Sequence, residues 1–569
     1  MRYLITNELE KCVGCNRCVR VCPIEEANIA RENGGKITVE IDRDKCNACG
    51  ACLAACHHGA RQYEDDTERF FKDLEHGAQI SVMTAPAAKT NFDDYGCLIA
   101  WLRQLGVRRV YDVSLGADIC VWAHIRYMQR YGVRPMITQP CPSIVSYILH
   151  HRNELVGYLS PVHSPMCSLA VYMRNYEKID TKIAAISPCV AKTYEFESTG
   201  LVDYNVTIKK LYEYIEKNNI VFPSARSGFD NMRSGLGSLF PMPGGLKENV
   251  EHYLQKAIRI DECEGPSLIY KALDEYANQP ESRLPALFDV LNCQEGCNKG
   301  TGTKEGRSIF EINSGMDRGR QSAISEEHRH YLDDLYKAFD ETLNLRDFLR
   351  SYTATPSHQI RITQDDVDRA FEALGKHDDK AMKFNCGACG CDTCREMAIK
   401  IAKGINTPQN CSEKAKQDVQ REQAESAALQ TMNLDNIESI LSDTTRTKEL
   451  MENIVSNIDE ITDAISVYNS MIRDIEKIAM QVTIIALNAS IEAARAGRHG
   501  KAFNVVAEEI RALAQNSSNS AQQTNEASEK ATDAISSVNE MIMKISENVN
   551  ASYANISEIS ENTKKMLKH

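Results

Sequence analysis

The spacing of the cysteines constrains this chain more than any other feature. The sequence of 569 residues contains 21 cysteines. Most of them stand in short clusters with spacings typical of metal ligands. The exceptions are Cys97, Cys120, Cys167, Cys263 and Cys391, which we interpret as small buried thiols. The N-terminus shows no apolar stretch typical of a signal peptide. In a cytoplasmic chain, clustered cysteines indicate metal sites rather than disulfides, so we expect a multidomain protein built around several such sites.

Residues 1–66 carry the pattern C-x2-C-x2-C-x3-C twice. This run is typical of bacterial ferredoxin modules with two 4Fe–4S clusters, in which the fourth cysteine of each run binds the other cluster. The predicted ligands of the first cluster are Cys12, Cys15, Cys18 and Cys56. The predicted ligands of the second cluster are Cys46, Cys49, Cys52 and Cys22. A zinc module is the alternative, but the doubled spacing favours an α+β ferredoxin domain that transfers electrons.

Residues 67–355 are predicted to form an α/β domain, because short apolar runs alternate with helical patterns. The predicted strands are 79–83, 107–113, 135–138 and 182–187, and the predicted helices include 92–105 and 145–155. The third cysteine loop (residues 291–302) reads L-N-C-Q-E-G-C-N-K-G-T-G, and its glycines allow close backbone approach. Four thiols from this loop and two earlier ones can hold one cubane cluster. They are Cys141, Cys189, Cys293 and Cys297.

The ordered set of three cysteine motifs resembles the active-site domain of iron-only (FeFe) hydrogenases. The resemblance implies an H-cluster, which is a cubane joined to a two-iron subsite carrying CO, cyanide and a bridging dithiolate amine. It implies that the four cysteines hold the cubane, that Cys297 bridges to the two-iron unit, and that Lys192 hydrogen-bonds a cyanide. It also implies that Ala85 and Pro86 lie near the dithiolate and that Ser164 is a retained proton-relay serine.

Departures from the catalytic members of that family affect the proton path and leave the cysteines intact. Pro140 stands where active members carry a proton-donating cysteine, and His124 and Tyr127 stand at the acidic relay positions. Leu291 and Ser187 replace methionines. His124 is either a substitute proton carrier, since imidazole titrates near neutrality, or a structural histidine, which we favour. We therefore expect an assembled H-cluster with slow turnover.

Residues 356–415 are predicted to form a small domain with one further 4Fe–4S cluster. The motif N-C-G-A-C-G-C-D-T-C is followed by a helical run and a last cysteine. It resembles a single-cluster domain of redox and signalling proteins. The predicted ligands are Cys386, Cys389, Cys394 and Cys411, with Cys391 surplus. A four-cysteine zinc site is the alternative, because four thiolates alone do not choose the metal. The other iron–sulfur motifs favour iron.

Residues 416–569 are predicted to form an all-α antiparallel coiled-coil hairpin. Apolar residues recur in steps of three and four over 451–482 and 535–559, and Gly497 and Gly500 mark the turn. A lone hairpin of this length exposes its seam, so we expect a homodimeric four-helix bundle. The pair Gln522–Gln523 is either an adaptation site or ordinary solvated surface.

The turn sequence I-I-A-L-N-A-S-I-E-A-A-R-A-G-R-H-G closely resembles the signalling hairpin of methyl-accepting chemotaxis proteins. That resemblance implies that a histidine kinase and its coupling adaptor dock at this tip. The implied contact or packing residues are Ile484, Asn488, Glu492, Arg495, Val505, Glu509 and Arg511. An inert dimerisation coil is the alternative, but it does not explain why the similarity is concentrated at the tip.

We interpret the chain as a cytoplasmic sensor in which an H-cluster domain detects H2, or the redox state linked to it, and the iron–sulfur clusters pass that state to the hairpin. Its net charge of −13 argues against a nucleic-acid partner, and no stretch approaches the ~20 apolar residues of a membrane span. The alternative is an FeFe hydrogenase enzyme that exchanges electrons with ferredoxin or another carrier and uses the coil for assembly. A third possibility is a plain cubane that senses oxygen or redox state.

Overall fold

The computed structural model describes residues 4–138, 141–254, 257–355 and 360–566. Contacts divide the chain into two compact units, Met1–Ala415 and Lys416–His569. The first unit contains all the cysteines, and the second is the helical C-terminal part of the chain. Among the described residues, no helix combines the length and apolar composition that crossing a membrane requires.

The N-terminal module is a small α+β arrangement. Its elements are β1 (Ile5–Asn7), α1 (Arg17–Arg20), β2 (Asn28–Asn33), β3 (Lys36–Ile41), α2 (Ala51–Ala55) and β4 (Arg61–Tyr63). Strands β1 and β4 pair antiparallel, and β2 and β3 form a hairpin. Gly34 and Gly35 connect this hairpin with φ angles of 59° and 79°, which a two-residue turn requires at both positions.

The next module is α/β, as the alternating pattern predicts. Its first half contains α3 (Thr67–Glu75), β5 (Ile80–Thr84), α4 (Ala87–Asn91), α5 (Tyr95–Gln104), β6 (Val110–Asp112), α6 (Val113–Tyr131), β7 (Met136–Ile137), α7 (Pro142–His151) and α8 (Pro165–Val171). Its second half contains β8 (Lys182–Ser187), α9 (Lys192–Thr199), β9 (Tyr204–Thr207), α10 (Ile208–Lys217), α11 (Gly245–Tyr253), β10 (Ile260–Glu264), α12 (Ile269–Ala277), β11 (Leu287–Leu291), α13 (Ile309–Ile324) and α14 (Glu326–Thr342).

Two parallel sheets organise this module, with strand orders β6-β5-β8-β9 and β10-β11-β7. The four predicted strands are all observed. One strand and one helix differ from the prediction at an end, each because of a local residue. The strand predicted at 107–113 ends at Asp112, because that side chain accepts a hydrogen bond from Ser114 N–H and starts α6. The helix predicted at 145–155 starts at Pro142, since proline suits the first helical position.

A separate small module follows, with α15 (Gln364–Ala373), α16 (Asp379–Met382) and α17 (Cys394–Ala402). Its core packs apolar residues of α15 and α17, including Val367, Phe371 and Met397, against its cysteines. Thr363 and Asp366 form a reciprocal capping box at the start of α15. The side chain of each residue accepts a hydrogen bond from the backbone N–H of the other.

The C-terminal unit consists of two long helices, α18 (Ser412–Arg495) and α19 (Lys501–Met566), joined at Gly497–Gly500. The helices run antiparallel, as the 3.0 Å ion pair between Lys564 and Glu438 shows. Buried residues recur at steps of seven or fourteen, as in Met451, Ile458, Ile472, Ala479, Ala486 and Ala493. The intervening seam residues stay exposed, for example Ile461 at 49% and Ile475 at 48%. Half of the predicted seam is therefore left for another chain, which favours dimerisation.

Candidate functional site

A cavity collects the three cysteine loops of the α/β module. Cys141 lies between β7 and α7, Cys189 follows β8, and Cys293 and Cys297 follow β11. All four of these cysteines line the cavity. Because each loop follows the carboxyl end of a parallel strand, the sheets bring the loops to one place.

The four thiols lie within electrostatic range of one another. Burial, followed by the thiols of Cys141 and Cys189, raises the pKa of Cys297 to about 12. Burial and the other three thiols raise the pKa of Cys293 well above its ordinary value. Buried thiolates therefore need a compensating cation here, and four thiolates in one cavity form the usual donor set of a 4Fe–4S cluster. The donor set fits such a group.

Glycine is needed at two positions of the third cysteine loop because other backbone segments pass close to it. A Cβ at Gly300 would lie 2.3 Å from the carbonyl oxygen of Pro188. A Cβ at Gly296 would lie 2.2 Å from the carbonyl oxygen of Pro241, and φ at Gly296 is 71°. The glycines were expected to let the backbone approach a bulky inorganic group, and this stays a prediction. The close contacts that the structure shows are with two proline-containing turns of the protein itself.

Lys192 reaches the same cavity from the first residue of α9. Its Nζ donates to Ser164 Oγ at 3.2 Å and to Glu195 Oε2 at 2.5 Å, and all three side chains are buried. Burial disfavours the charged lysine, but the Glu195 carboxylate raises the net pKa of Lys192 above its ordinary value. Lys192 therefore presents a positive charge to the cavity. Sequence reasoning missed Glu195, although an acid three residues after a lysine in a helix is a known pairing signal.

The rest of the cavity wall is largely apolar. Ala85 and Pro86, in the turn after β5, line it together with Leu291 and Phe240. Ser187 does not line the cavity; its hydroxyl donates to Asn205 Oδ1 at 2.5 Å and accepts from Cys189 N–H at 3.3 Å. It thereby braces the turn that carries Cys189.

His124 lies away from the cavity and is fully paired. Its Nδ1 bonds to the carbonyl oxygen of Cys120 at 2.8 Å, and its Nε2 bonds to Ser160 Oγ at 2.8 Å. Since a carbonyl only accepts, Nδ1 carries the proton and Nε2 accepts from the serine hydroxyl. Burial lowers the pKa of His124 to about 4. The structural interpretation of His124 is thus the better one.

The other candidates for proton transfer also stand apart from the described cavity lining. Tyr127 accepts a hydrogen bond from Arg134 Nη2 at 3.0 Å. Burial is the main cause that raises the pKa of Cys167, to about 12, and of Cys120 still further. Pro140 lies outside the described residues. Ser164 is the exception, because its hydroxyl contacts Lys192 and also caps α8.

Both predicted sites of the N-terminal module gather their cysteines. A small cavity is lined by Cys12, Cys15, Cys18 and Cys56. In the second set, burial and the nearby thiols of Cys22, Cys52 and Cys46 raise the pKa of Cys49. Arg61 is a residue that sequence reasoning missed. Its Nη2 donates to Cys18 Sγ at 3.3 Å and to Asn28 Oδ1 at 2.8 Å, which places a buried cation beside the thiols.

A chain of buried hydrogen bonds joins the second of these sites to the central cavity. Asn292 Nδ2 donates to the carbonyl oxygen of Cys49 at 3.0 Å. Tyr270 donates to Asn292 Oδ1 at 2.7 Å and accepts from Asn47 Nδ2 at 2.8 Å. Because Asn292 directly precedes Cys293, this contact links the backbone of one cysteine loop to the next. The sequence alone gave no signal for it.

The small module surrounds a cavity of its own. Its lining includes Cys386, Cys389, Cys391, Cys394 and Cys411. The surplus thiol of Cys391 lines this cavity with the four predicted ligands and lies 3.8 Å from Met397 Sδ. Within the described parts of the chain, no three Cys, His, Asp or Glu side chains are grouped as one metal ion would require; the thiols line cavities instead.

The predicted contact residues at the hairpin tip are exposed. They are Ile484, Asn488, Glu492, Arg495, Val505, Glu509 and Arg511. Val505 is 65% exposed and Ile484 is 52% exposed. Arg495 pairs with Glu492 at 3.3 Å. Large apolar side chains and paired charges are thus both available at this end of the unit.

Four protein-family models match separate parts of the chain. Residues 78–301 match the iron only hydrogenase large subunit, C-terminal domain, and residues 435–569 match the methyl-accepting chemotaxis protein signalling domain. Residues 11–60 match the 4Fe-4S dicluster domain, and residues 383–412 match an Fe-S cluster family. The chain therefore combines hydrogenase-type, iron–sulfur and chemotaxis signalling regions.

Similar proteins divide along the same lines. Iron hydrogenase 1 of Clostridium pasteurianum is 25% identical over 288 residues, which cover 43% of this chain and 50% of that protein. A sensory transducer protein of Acetivibrio thermocellus is 49% identical over 76 residues, or 13% of this chain and 14% of that protein. The chain thus matches half or less of these relatives' lengths. An FeFe-hydrogenase structure from Chlamydomonas reinhardtii aligns with 52% of this chain and all of that chain, at 15% identity and a TM-score of 0.37.

Proposed function

We propose that this chain, with its hydrogenase-type region and its chemotaxis signalling region, is a cytoplasmic receptor for H2 or for the redox state linked to it. The observation that carries the proposal is the central cavity. It gathers four cysteines and a buried, paired lysine from separate loops of one module. The same polypeptide also contains the region that matches the chemotaxis signalling domain. The proposed site for H2 chemistry and the proposed output region therefore belong to one chain.

In this proposal Cys141, Cys189, Cys293 and Cys297 would hold the H-cluster. When bound, that group supplies reversible splitting of H2 into two protons and two electrons. Lys192, held by Ser164 and Glu195, directs its charge and hydrogen bonds into the cavity. The apolar wall that includes Ala85 and Pro86 keeps water away.

Slow turnover follows from the lack of a suitable residue for proton transfer. Proline at position 140 has no side-chain proton to give. His124 has both ring nitrogens engaged, and neither Cys120 nor Cys167 is among the residues lining the cavity. Without an efficient proton carrier, the site is better suited to report H2 than to process it in quantity.

The proposal involves a second copy of the chain, a histidine kinase with its coupling adaptor, and an electron carrier. Half of the hairpin seam is exposed in a single chain, which suits a homodimer. The seven exposed residues of the hairpin tip are the proposed contact or packing residues for a histidine kinase and its coupling adaptor. Electrons leave or enter through the N-terminal iron–sulfur module, with ferredoxin or another carrier as the exchange partner.

The deciding experiment is infrared spectroscopy of the anaerobic, reconstituted and matured protein in the CO and cyanide stretching region. Bands that shift between argon and H2 support the receptor. Good iron content with no such bands contradicts the H-cluster and leaves a plain iron–sulfur redox receptor. Rapid sustained H2 turnover by the same sample would instead favour the second candidate function, a hydrogenase enzyme. The presence of all four cysteines and Lys192 in the cavity supports this second candidate.

A further inference from the structure

A reciprocal amide pair holds the small module against the N-terminal module. Asn16 Nδ2 donates to Asn410 Oδ1 at 2.6 Å, and Asn410 Nδ2 donates to Asn16 Oδ1 at 3.0 Å. Both side chains are 6% exposed. Asn410 Nδ2 also donates to Asn406 Oδ1 at 2.7 Å. Within the pair, each side-chain amide donates one hydrogen bond to the other and accepts one from it. The pair therefore fixes both the distance and the relative orientation of the two loops.

The two asparagines stand next to predicted cluster ligands. Asn16 directly follows Cys15 and lines the same cavity. Asn410 directly precedes Cys411, after which α18 begins at Ser412. The pair therefore joins the site of the first N-terminal cysteine set to the site of the small module by two short side chains and their hydrogen bonds.

Other contacts support the same docking. Ala30 N–H of β2 donates to the carbonyl oxygen of Ile405 at 3.1 Å. Lys403 pairs with Glu25 at 2.6 Å, but the carboxylate is 42% exposed, and a pair open to solvent contributes little. The buried amide pair is thus the better candidate for setting the geometry, since unmet polar groups inside a protein are costly.

A similar contact joins the second site of the N-terminal module to the central cavity. Asn292, directly before Cys293, donates to the carbonyl oxygen of Cys49 at 3.0 Å. In both places, a buried asparagine next to a predicted ligand forms a hydrogen bond to another cysteine loop. Electronic coupling decays less steeply through bonds and hydrogen bonds than through empty space, so such contacts suit electron exchange between neighbouring sites.

We propose that Asn16 and Asn410 form an electron-transfer joint, which docks the small module and connects its Cys386–Cys411 site to the Cys12–Cys56 site. The proposal rests on the proposed function for its biological role. One electron lost at one site is gained at the other, and no atom or proton is transferred. An added one-electron reductant supplies that electron; H2 would supply two electrons in succession and release two protons at the central cavity. The small module is thereby the last redox site before the signalling helix.

The first test uses Asn410→Asp, which keeps the side-chain shape but replaces the donor with an oxygen that faces two acceptor oxygens. Hydrogen–deuterium exchange of residues 383–412 in the full reconstituted chain should become about tenfold faster, as loss of a buried hydrogen bond implies. Lys403→Met removes the ion pairs of Lys403 with Glu25 at 2.6 Å and with Glu26 at 3.8 Å but leaves the amide pair in place, so exchange should stay nearly unchanged. Equal exchange in the wild type and Asn410→Asp overturns the docking role.

The second test follows the electrons by paramagnetic resonance after photochemical reduction. The wild type should show broadened signals from neighbouring reduced clusters. Asn410→Asp should show separate signals and a several-fold slower reduction of the small module. Identical line shapes and rates in both proteins overturn the joint. Asn16→Asp breaks the pair from the other side and keeps the test decisive if Asn410→Asp loses iron.

The photochemical reductant also separates this inference from the proposed function. If H2 reduces neither protein but photoreduction still distinguishes them, the joint stands and hydrogen input fails. If H2 reduces both proteins at equal rates, the joint fails and hydrogen input stands.

Discussion

His124 shows how hydrogen bonding decides the role of a single buried residue. Its position in the sequence suits a proton carrier, but both ring nitrogens are already engaged, by the Cys120 carbonyl and by Ser160. Passing a proton would break at least one of these bonds inside an apolar environment. Lys192 is the opposite case, because its partner Glu195 keeps it charged at the edge of the cavity.

His124→Gln should reduce the loss of stability on mild acidification. Below about pH 6.5 the unfolded chain protonates this histidine, whereas the folded chain resists until about pH 4. Stability from the neutral ring is therefore complete above pH 6.5 and falls as the pH drops, by about 1.4 kcal/mol per unit. Between pH 7.5 and 5.5, anaerobic urea unfolding should show that the wild type loses about 1 kcal/mol more than the variant. Equal losses in the two proteins would contradict the depressed pKa of His124. Burial also lowers the pKa of His163 to about 4, but both proteins contain His163, so its effect cancels in the comparison.

Among elements, the third cysteine loop depends on close backbone packing rather than on side chains. Gly300→Ala would place a Cβ against the carbonyl oxygen of Pro188, a backbone atom that cannot move without shifting Cys189. We expect loss of the CO and cyanide bands, with the iron–sulfur signals of the other modules retained. Gly157→Ala is the matched control, since nothing lies within 4 Å of its added Cβ. Normal bands in Gly300→Ala would refute the packing argument.

The long helices carry a prediction about assembly. Ile475 lies on the predicted seam but is 48% exposed in one chain, so we expect a partner helix to cover it. Ile475→Lys should convert the dimer to monomer, because the charged ammonium would have to be buried without a partner. Ser470→Lys, an exposed position of the same helix off the seam, should leave the dimer intact. Light scattering of the purified proteins measures both, and a dimeric Ile475→Lys would exclude this seam as the interface.

For the whole molecule, the order of modules along the chain places the last predicted cluster directly before the signalling helix. Cys386→Ser removes a predicted ligand and should uncouple H2 from kinase activity in a reconstituted receptor–kinase assay. Cys391→Ser, in the same cavity, removes the surplus thiol and should leave the coupling intact. Unchanged coupling in Cys386→Ser would refute the relay, and loss of coupling in Cys391→Ser would reassign the ligands.

Much of the organisation was predictable because its signals are local. Cysteine spacing indicated the iron–sulfur modules, strand and helix periodicity indicated the α/β module, and heptads indicated the hairpin. Strand ends shifted where a side chain such as Asp112 capped the following helix. Arg61 was missed because its contacts with Cys18 and Asn28 depend on how the N-terminal module folds. The spacing of Lys192 and Glu195 could have indicated their pairing, but their burial could not be read from the sequence.

The sequence by itself determined the kinds of site and their order, since ligand chemistry is written in residue type and spacing. Only the tertiary structure decided which loops meet and what lies between the sites. The Asn16–Asn410 pair joins residues 394 positions apart, and Asn292 meets Cys49 across 243. Contacts of this kind depend on how sheets and helices pack, because a side-chain amide has no sequence signature until its partner is placed beside it.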